Sequence, residues 1–268
     1  MPTPSISATC PFCLSALAAD ASVCHECGKP RSATISTSSL RSIPSFVRPK
    51  SPKVPVRVQL AISVDRTGSS APFTKGISQL CQSVFTQLGS KVADLKVSVF
   101  SHGDLQDSSQ DVIQLSSRVT PEQAMMDIPS IQYGGGASAD EDHLYAVDQL
   151  LQRAGIGGTG IDRGFLLLIT TDGTHPHPQG KSVQEIAQEI LDRRLVLLLV
   201  GTPDLQSGSR PCCPRMNALI EACSGSFFIP ISNTPDAAEL QAVASMVAAS
   251  VTRSVNQAMA TLPAPLSA

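Results

Sequence analysis

Apolar positions along this chain switch repeatedly between a period of two and a period near 3.6, and the switches mark its elements. Residues 56–64 (VRVQLAISV) carry β-branched and aliphatic side chains at every second position, which predicts a strand ending at Asp65. Between residues 73 and 88 the apolar positions Ile77, Leu80, Cys81, Val84, Phe85 and Leu88 recur at three and four, predicting a helix with one buried face. Residues 95–100 form a second strand pattern. Thr120-Pro121-Glu122 predicts a helix start, with Thr120 as N-cap and Pro121 at the first helical position. The run Gly134-Gly135-Gly136 leads into a helix from about 140 to 153. Residues 165–170 (FLLLIT) are an almost wholly apolar strand running into Thr171-Asp172-Gly173. A helix over 182–193, a buried strand over 195–200, a helix over 216–223, a short strand over 225–231 and a closing helix over 237–259 complete the order.

Apolar strands alternating with amphipathic helices predict an α/β fold, a doubly wound and mostly parallel sheet covered by helices on both faces. Such sheets bind ligands outside the carboxyl ends of their strands. The segment 237–259 is the longest apolar stretch, but it contains Glu239, Gln241, Arg253 and Asn256, so no membrane helix is expected. Hydrophobic residues make up 42% of the 268 while aromatics are only 4% and Trp is absent, so the core is expected to be aliphatic.

The formal charge of −2 hides an asymmetry. Residues 1–27 hold Asp20 and Glu26 and no Lys or Arg; residues 28–53 hold Lys29, Arg31, Arg41, Arg48, Lys50 and Lys53 and no acid. The latter stretch is also rich in Ser, Thr and Pro. The expected organisation is a small module at 1–28, a flexible basic linker at 29–53, a large α/β domain at 54–260 and a disordered tail at 261–268. The linker's cations suit a solvated tether, or contact with an acidic partner or nucleic acid.

Cys10-Pro-Phe-Cys13 and Cys24-His-Glu-Cys27 are two C-x-x-C pairs a short loop apart. Such spacing can bring four thiolates to the corners of a tetrahedron around one Zn²⁺. Two disulfides or four free thiols are the alternatives. No apolar h-region follows Met-Pro-Thr-Pro, which argues against a secretory signal and for a reducing, cytoplasmic location. Four cysteines would fill the coordination sphere, making the zinc structural. The pairs resemble the short zinc ribbons of many prokaryotic proteins, with Leu14 where Gly is usual, and His25 is expected to face solvent between two ligands.

A second constellation lies at the predicted strand ends. Asp65-Arg66-Thr67-Gly68-Ser69 follows the first strand, and Asp172 follows a later central one. In a tight loop the i, i+2, i+4 spacing lets Asp65, Thr67 and Ser69 turn their oxygens toward one point. An all-oxygen site of this kind favours a hard cation such as Mg²⁺. Alone, Asp65 would be a turn cap and Asp172-Gly173 an ordinary turn. Together they resemble the metal-ion-dependent adhesion site of the von Willebrand factor A family, Asp-x-Ser-x-Ser followed by a separate Thr and then an Asp, with Thr67 here replacing the first Ser. The resemblance covers roughly residues 56–255. The family's separate Thr belongs in the loop here occupied by residues 134–142, which holds no Thr, leaving Ser138 or Asp140 to supply that oxygen.

The resemblance implies a non-enzymatic adaptor that binds protein partners, with the cation completed by a carboxylate from the partner. It also implies a prokaryotic setting, beside an AAA+ ATPase or another operon-mate. Asp104, Asp140, His175 and His177 are expected at the partner-binding rim. His175 and His177 lie in a Pro-rich loop read as exposed, although two His two apart can also bind a transition metal. The competing functions are a metal-assisted hydrolase using Asp65 and Asp172, with His102 as the one nearby base and Ser69 as its imagined nucleophile, and a nucleic-acid-binding regulator using ribbon and linker. The absence of Lys and Arg from residues 1–27 argues against the latter. No Ser–His–Asp order, P-loop or G-x-G-x-x-G supports an enzyme. Cys81 and Cys223 fall on apolar faces, and the adjacent Cys212 and Cys213 are expected to be free thiols.

Overall fold

In the computed structural model the alternating segment at 56–64 becomes β3 (Val54–Asp65), a strand at the middle of a six-stranded sheet. The structure describes residues 8–9, 16–17, 54–107, 112–136, 140–157, 162–170, 173–203 and 211–260. The chain divides into two units, Met1–Lys50 and Ser51–Ala268.

In the first unit β1 (Ala8–Thr9) pairs antiparallel with β2 (Ala16–Leu17), Ala8 opposite Leu17 and Thr9 opposite Ala16. Cys10, Cys13, Cys24 and Cys27 lie outside the described residues, as do the expected linker at 29–53 and tail at 261–268.

The second unit is an α/β fold with a mostly parallel, Rossmann-like sheet. Its remaining strands are β4 (Val92–His102), β5 (Ile113–Val119), β7 (Asp162–Ile169), β9 (Leu195–Gly201) and β10 (Phe227–Pro230), in the order β10-β9-β7-β3-β4-β5. All neighbours are parallel except β5, which closes one edge antiparallel to β4. Even-numbered residues of β3, from Val56 to Val64, face a core shared with α1 (Thr74–Gly89), α2 (Pro121–Asp127) and α6 (Ala237–Ala260). Ala61, Phe100, Leu166 and Leu168 face the opposite core, with α3 (His143–Arg153), α4 (Val183–Asp192) and α5 (Pro214–Ala222). The run Phe165–Leu168 is therefore apolar throughout because both faces of β7 are covered, and all four side chains are fully buried. Each such burial contributes about 1.5–3 kcal/mol. No described helix is long and apolar enough to cross a membrane.

Local chemistry sets the helix starts. Thr120 caps α2 through a bond from Gln123 N, with Pro121 in the first turn, as expected. Ser182 caps α4 in a reciprocal capping box with Glu185.

Three details differ from the sequence expectation. Residues 113–119 form an unforeseen edge strand. The helix expected from 140 starts at His143 instead, because β6 (Asp140–Glu141) pairs parallel with β8 (Gly173–Thr174). Ser101 and His102 lie within β4 rather than after it.

Candidate functional site

Parallel pairing brings the carboxyl ends of β3, β4 and β7 to one level, with Asp65 opposite His102 and Val64 opposite Ile169. Beyond β3 the chain turns tightly. Asp65 Oδ1 accepts both the backbone N–H of Thr67 at 2.9 Å and the Thr67 hydroxyl at 2.7 Å. Thr67 Oγ1 lies 2.9 Å from Ser69 Oγ. A 3-10 helix over Gly68–Phe73 starts inside this turn, with Ser70 N donating to Thr67 O. The three oxygen-bearing side chains thus converge, as their spacing predicts.

Asp65 is 1% exposed, and its Oδ2 has no hydrogen-bond partner among the described residues. Burying a carboxylate oxygen without a partner is costly, and a cation removes that cost. Two hydroxyl oxygens 2.9 Å apart also match adjacent corners of an octahedron, which lie about 2.9 Å apart for ligands at 2.0–2.1 Å from Mg²⁺. The donor set therefore fits a hard divalent ion. Among the described residues no group of three or more His, Cys, Asp or Glu forms a ready-made metal cage; this cluster is one carboxylate with two hydroxyls. Asp172 and Ser138 lie outside the described residues.

The glycine run is pinned against the same turn. Gly134 N donates to Arg66 O at 2.9 Å, Gly68 N donates to Gly135 O at 3.2 Å, and Gly136 N donates to Asp107 Oδ2 at 2.6 Å. Gly135 and Gly136 have φ of 78° and 90°, a region that side chains rarely adopt. A Cβ at Gly136 would also touch Glu141 Oε1 and Thr67 Cβ, both 3.4 Å away. Glu141, 1% exposed, thus brings a second buried carboxylate to this edge. The carboxylate of Asp140 fills the space that any side chain at Gly173 would need.

The rim residues divide. Asp140 and His175 are half-buried, and His175 Nε2 lies 3.3 Å from Gln106 Nε2. Asp104 is fully buried, its Oδ1 accepting Gln106 N at 2.8 Å, so it offers no surface to a partner. The expectation of an exposed loop fails at His177. Its side chain is buried, its Nδ1 accepts Gln179 N at 3.2 Å, and its Nε2 stands 3.5 Å from Asp148 Oδ2. Asp148, also fully buried, holds Lys181 and accepts Gln152 Nε2 at 2.8 Å. That carboxylate is the main cause of the raised Lys181 pKa. The loop is thereby fastened down from inside. Burial, with the Asp104 charge adding to it, raises the carboxyl pKa of Asp142, which accepts Leu105 N at 2.6 Å.

His102 is not paired with Ser69. Its Nδ1 meets Ser63 Oγ at 2.8 Å, its Nε2 meets His143 Nδ1 at 2.9 Å, and His143 Nε2 meets Thr170 Oγ1. Burial, reinforced by His143 and Arg66, holds His102 well below the ordinary histidine range. Ser63, His143, Thr170 and Glu141 were not singled out in the sequence; the signal that could have found the first and third is a polar residue ending an otherwise apolar row of a buried strand. Cys81, Cys212, Cys213 and Cys223 are free thiols; Cys213 Sγ accepts the backbone N–H of Thr174 at 3.2 Å, and burial raises Cys81 to about 12.

Compared with known proteins, the chain matches no family model and no curated protein.

Proposed function

We propose that this chain is a non-enzymatic adaptor of the von Willebrand A type, whose strand-end site holds a divalent cation, Mg²⁺, and through it a protein partner. Asp65, Thr67 and Ser69 would hold the ion from β3 and its turn, with Asp172 and an oxygen of Ser138 or Asp140 as the further donors the resemblance implies. The ion would supply a positive charge that a partner carboxylate can meet. The observation that carries this reading is the Asp65 turn: a buried carboxylate oxygen lacking a hydrogen-bond partner among the described residues, beside two hydroxyls at octahedral-edge spacing. The paired C-x-x-C motifs support a structural zinc module at 1–28, and β1 and β2 flank the first pair in sequence. The partner's chemistry is an acidic side chain presented by a folded protein, with an AAA+ ATPase the class the resemblance favours.

A hydrolase would need a base facing the ion. His102 is fully buried and both its ring nitrogens are engaged, which weighs against that alternative. The test is calorimetric titration of the full chain with Mg²⁺, on wild type and Asp65→Ala. One binding event in wild type that is lost in Asp65→Ala supports the reading; no Mg²⁺ binding to wild type refutes it.

A further inference from the structure

Ser63, His102, His143 and Thr170 form one continuous buried chain of hydrogen bonds lying beside the cation site rather than within it. All four are 5% exposed or less. Burial holds His102 neutral, and the single hydrogen bond between the rings leaves each with one ring proton in this network, donating at one nitrogen and accepting at the other. The chain therefore has two self-consistent orientations. In one, Ser63 donates to His102 Nδ1, His102 Nε2–H to His143 Nδ1, and His143 Nε2–H to Thr170 Oγ1, so the Thr170 hydroxyl proton points away from the chain. In the other, Thr170 donates to His143 Nε2, His143 Nδ1–H to His102 Nε2, and His102 Nδ1–H to Ser63 Oγ. Passing between them shifts one proton along each of the three hydrogen bonds toward Thr170, while Thr170 releases its outward proton and Ser63 takes one up at the other end. No charge is gained or lost.

Thr170 is the end of this chain that lies on the strand leading to Asp172. It follows Ile169, the partner of Val64, so the register puts it level with Asp65, and Asp172 comes two residues later. Thr170 N is held by Val200 O at 3.0 Å, which fixes its place on the sheet. An O–H dipole aimed toward a cation is repelled, whereas an oxygen lone pair is attracted. We propose that cation binding at the strand ends selects the second orientation, in which Thr170 points its proton inward and both histidines become Nδ1–H tautomers. The inference rests on the cation reading above. Because each ring has one proton, the four groups respond together, and Ser63 is coupled to the site without touching the ion.

The test is a Mg²⁺ titration of the ¹⁵N-labelled full chain, following histidine side-chain nitrogens by long-range ¹⁵N–¹H correlation, which distinguishes Nδ1–H from Nε2–H. Both His102 and His143 are expected to shift toward the Nδ1–H pattern, with the midpoint seen by calorimetry. Thr170→Val and Ser63→Ala are each expected to weaken Mg²⁺ binding about 5-fold, and Thr170→Ser to restore it. A purely structural role would leave the tautomers indifferent to Mg²⁺. Mg²⁺ binding without any tautomer change overturns the inference while leaving the cation reading standing. Absence of Mg²⁺ binding removes both.

Discussion

His102 and His143 stand edge to face, their ring centroids 5.1 Å apart and their planes 86° apart, joined by one nitrogen-to-nitrogen hydrogen bond of 2.9 Å. That bond holds one proton. Two imidazolium rings would set N–H against N–H where both side chains are fully buried, so the pair cannot charge fully while it is buried.

Acid sensitivity follows from this. The folded state holds His102 well below the ordinary range, while an unfolded chain takes up a proton near pH 6.5. Below that pH the unfolded state binds more protons, so stability falls as pH falls. The slope is about 1.4 kcal/mol per pH unit for each histidine kept neutral. Urea denaturation should show a plateau above about pH 7 and a decline from about 6.5 toward 5, before most carboxylates titrate. A stability that stays level from pH 7 to pH 5 would contradict a neutral His102.

The clamp around Asp148 predicts an unequal pair of mutants. Lys181 is 30% exposed at its side chain, whereas Asp148 is 1% exposed. Removing the lysine leaves a buried carboxylate with its strongest partner gone. Removing the carboxylate leaves a lysine that can turn to solvent or to Glu189, 3.0 Å away. Lys181→Met should therefore cost more than Asp148→Asn, about 2–4 kcal/mol against about 1–2, at the low end of buried-pair losses because one partner is partly exposed. Chemical denaturation of both variants checks the order; the reverse order would mean that packing, not charge, governs this loop.

How much of this was legible depends on sequence distance. The sheet and its helices follow from local periods, and Asp65, Thr67 and Ser69 lie within one turn, so their convergence could be read directly. The edge strand β5 was hidden because its apolar alternation, Ile113, Leu115 and Val119, is broken at Ser117. The start of α3 was misplaced because Asp140, Glu141 and Asp142 look like first-turn helix acids, while a distant segment, Gly173–Thr174, captures the first two as a strand. The histidine chain links residues 39, 41 and 27 positions apart. Only the register of β3, β4 and β7 brings Ser63, His102 and Thr170 to one face, each ending a row whose previous member, Ala61, Phe100 or Leu168, is core. Nothing in the sequence tied His143 to that level.

Gly136 should separate binding from folding. Its φ of 90° strains any side chain by about 1–2 kcal/mol, and its Cβ would come into contact with Thr67 and Glu141. Gly136→Ala should lower the melting temperature by about 2–8 °C for a unit of this size, while weakening Mg²⁺ binding clearly. Gly180, with φ of 74° and open space around its Cβ, supplies the control: Gly180→Ala carries similar strain and should leave Mg²⁺ binding unchanged. Calorimetry that finds equal losses of binding in both variants would detach the glycine run from the site.

The cysteine pairs predict one tightly held zinc per chain. A segment as short as residues 10–27 cannot bury enough apolar surface to fold unaided, so its order would come from the ion. Replacing one ligand, Cys24→Ser, should release the zinc and expose residues 1–28 to proteolysis. The larger unit has its own core, with described members running from Val56 to Val255, and should melt as before. Elemental analysis of protein purified under reducing conditions supplies the first check, at one zinc per wild-type chain and none in Cys24→Ser. Limited proteolysis supplies the second, with cutting confined to the N-terminal unit. Zinc-free wild-type protein that still resists proteolysis before residue 28 would rule out the tetrathiolate site and return the two disulfides to consideration.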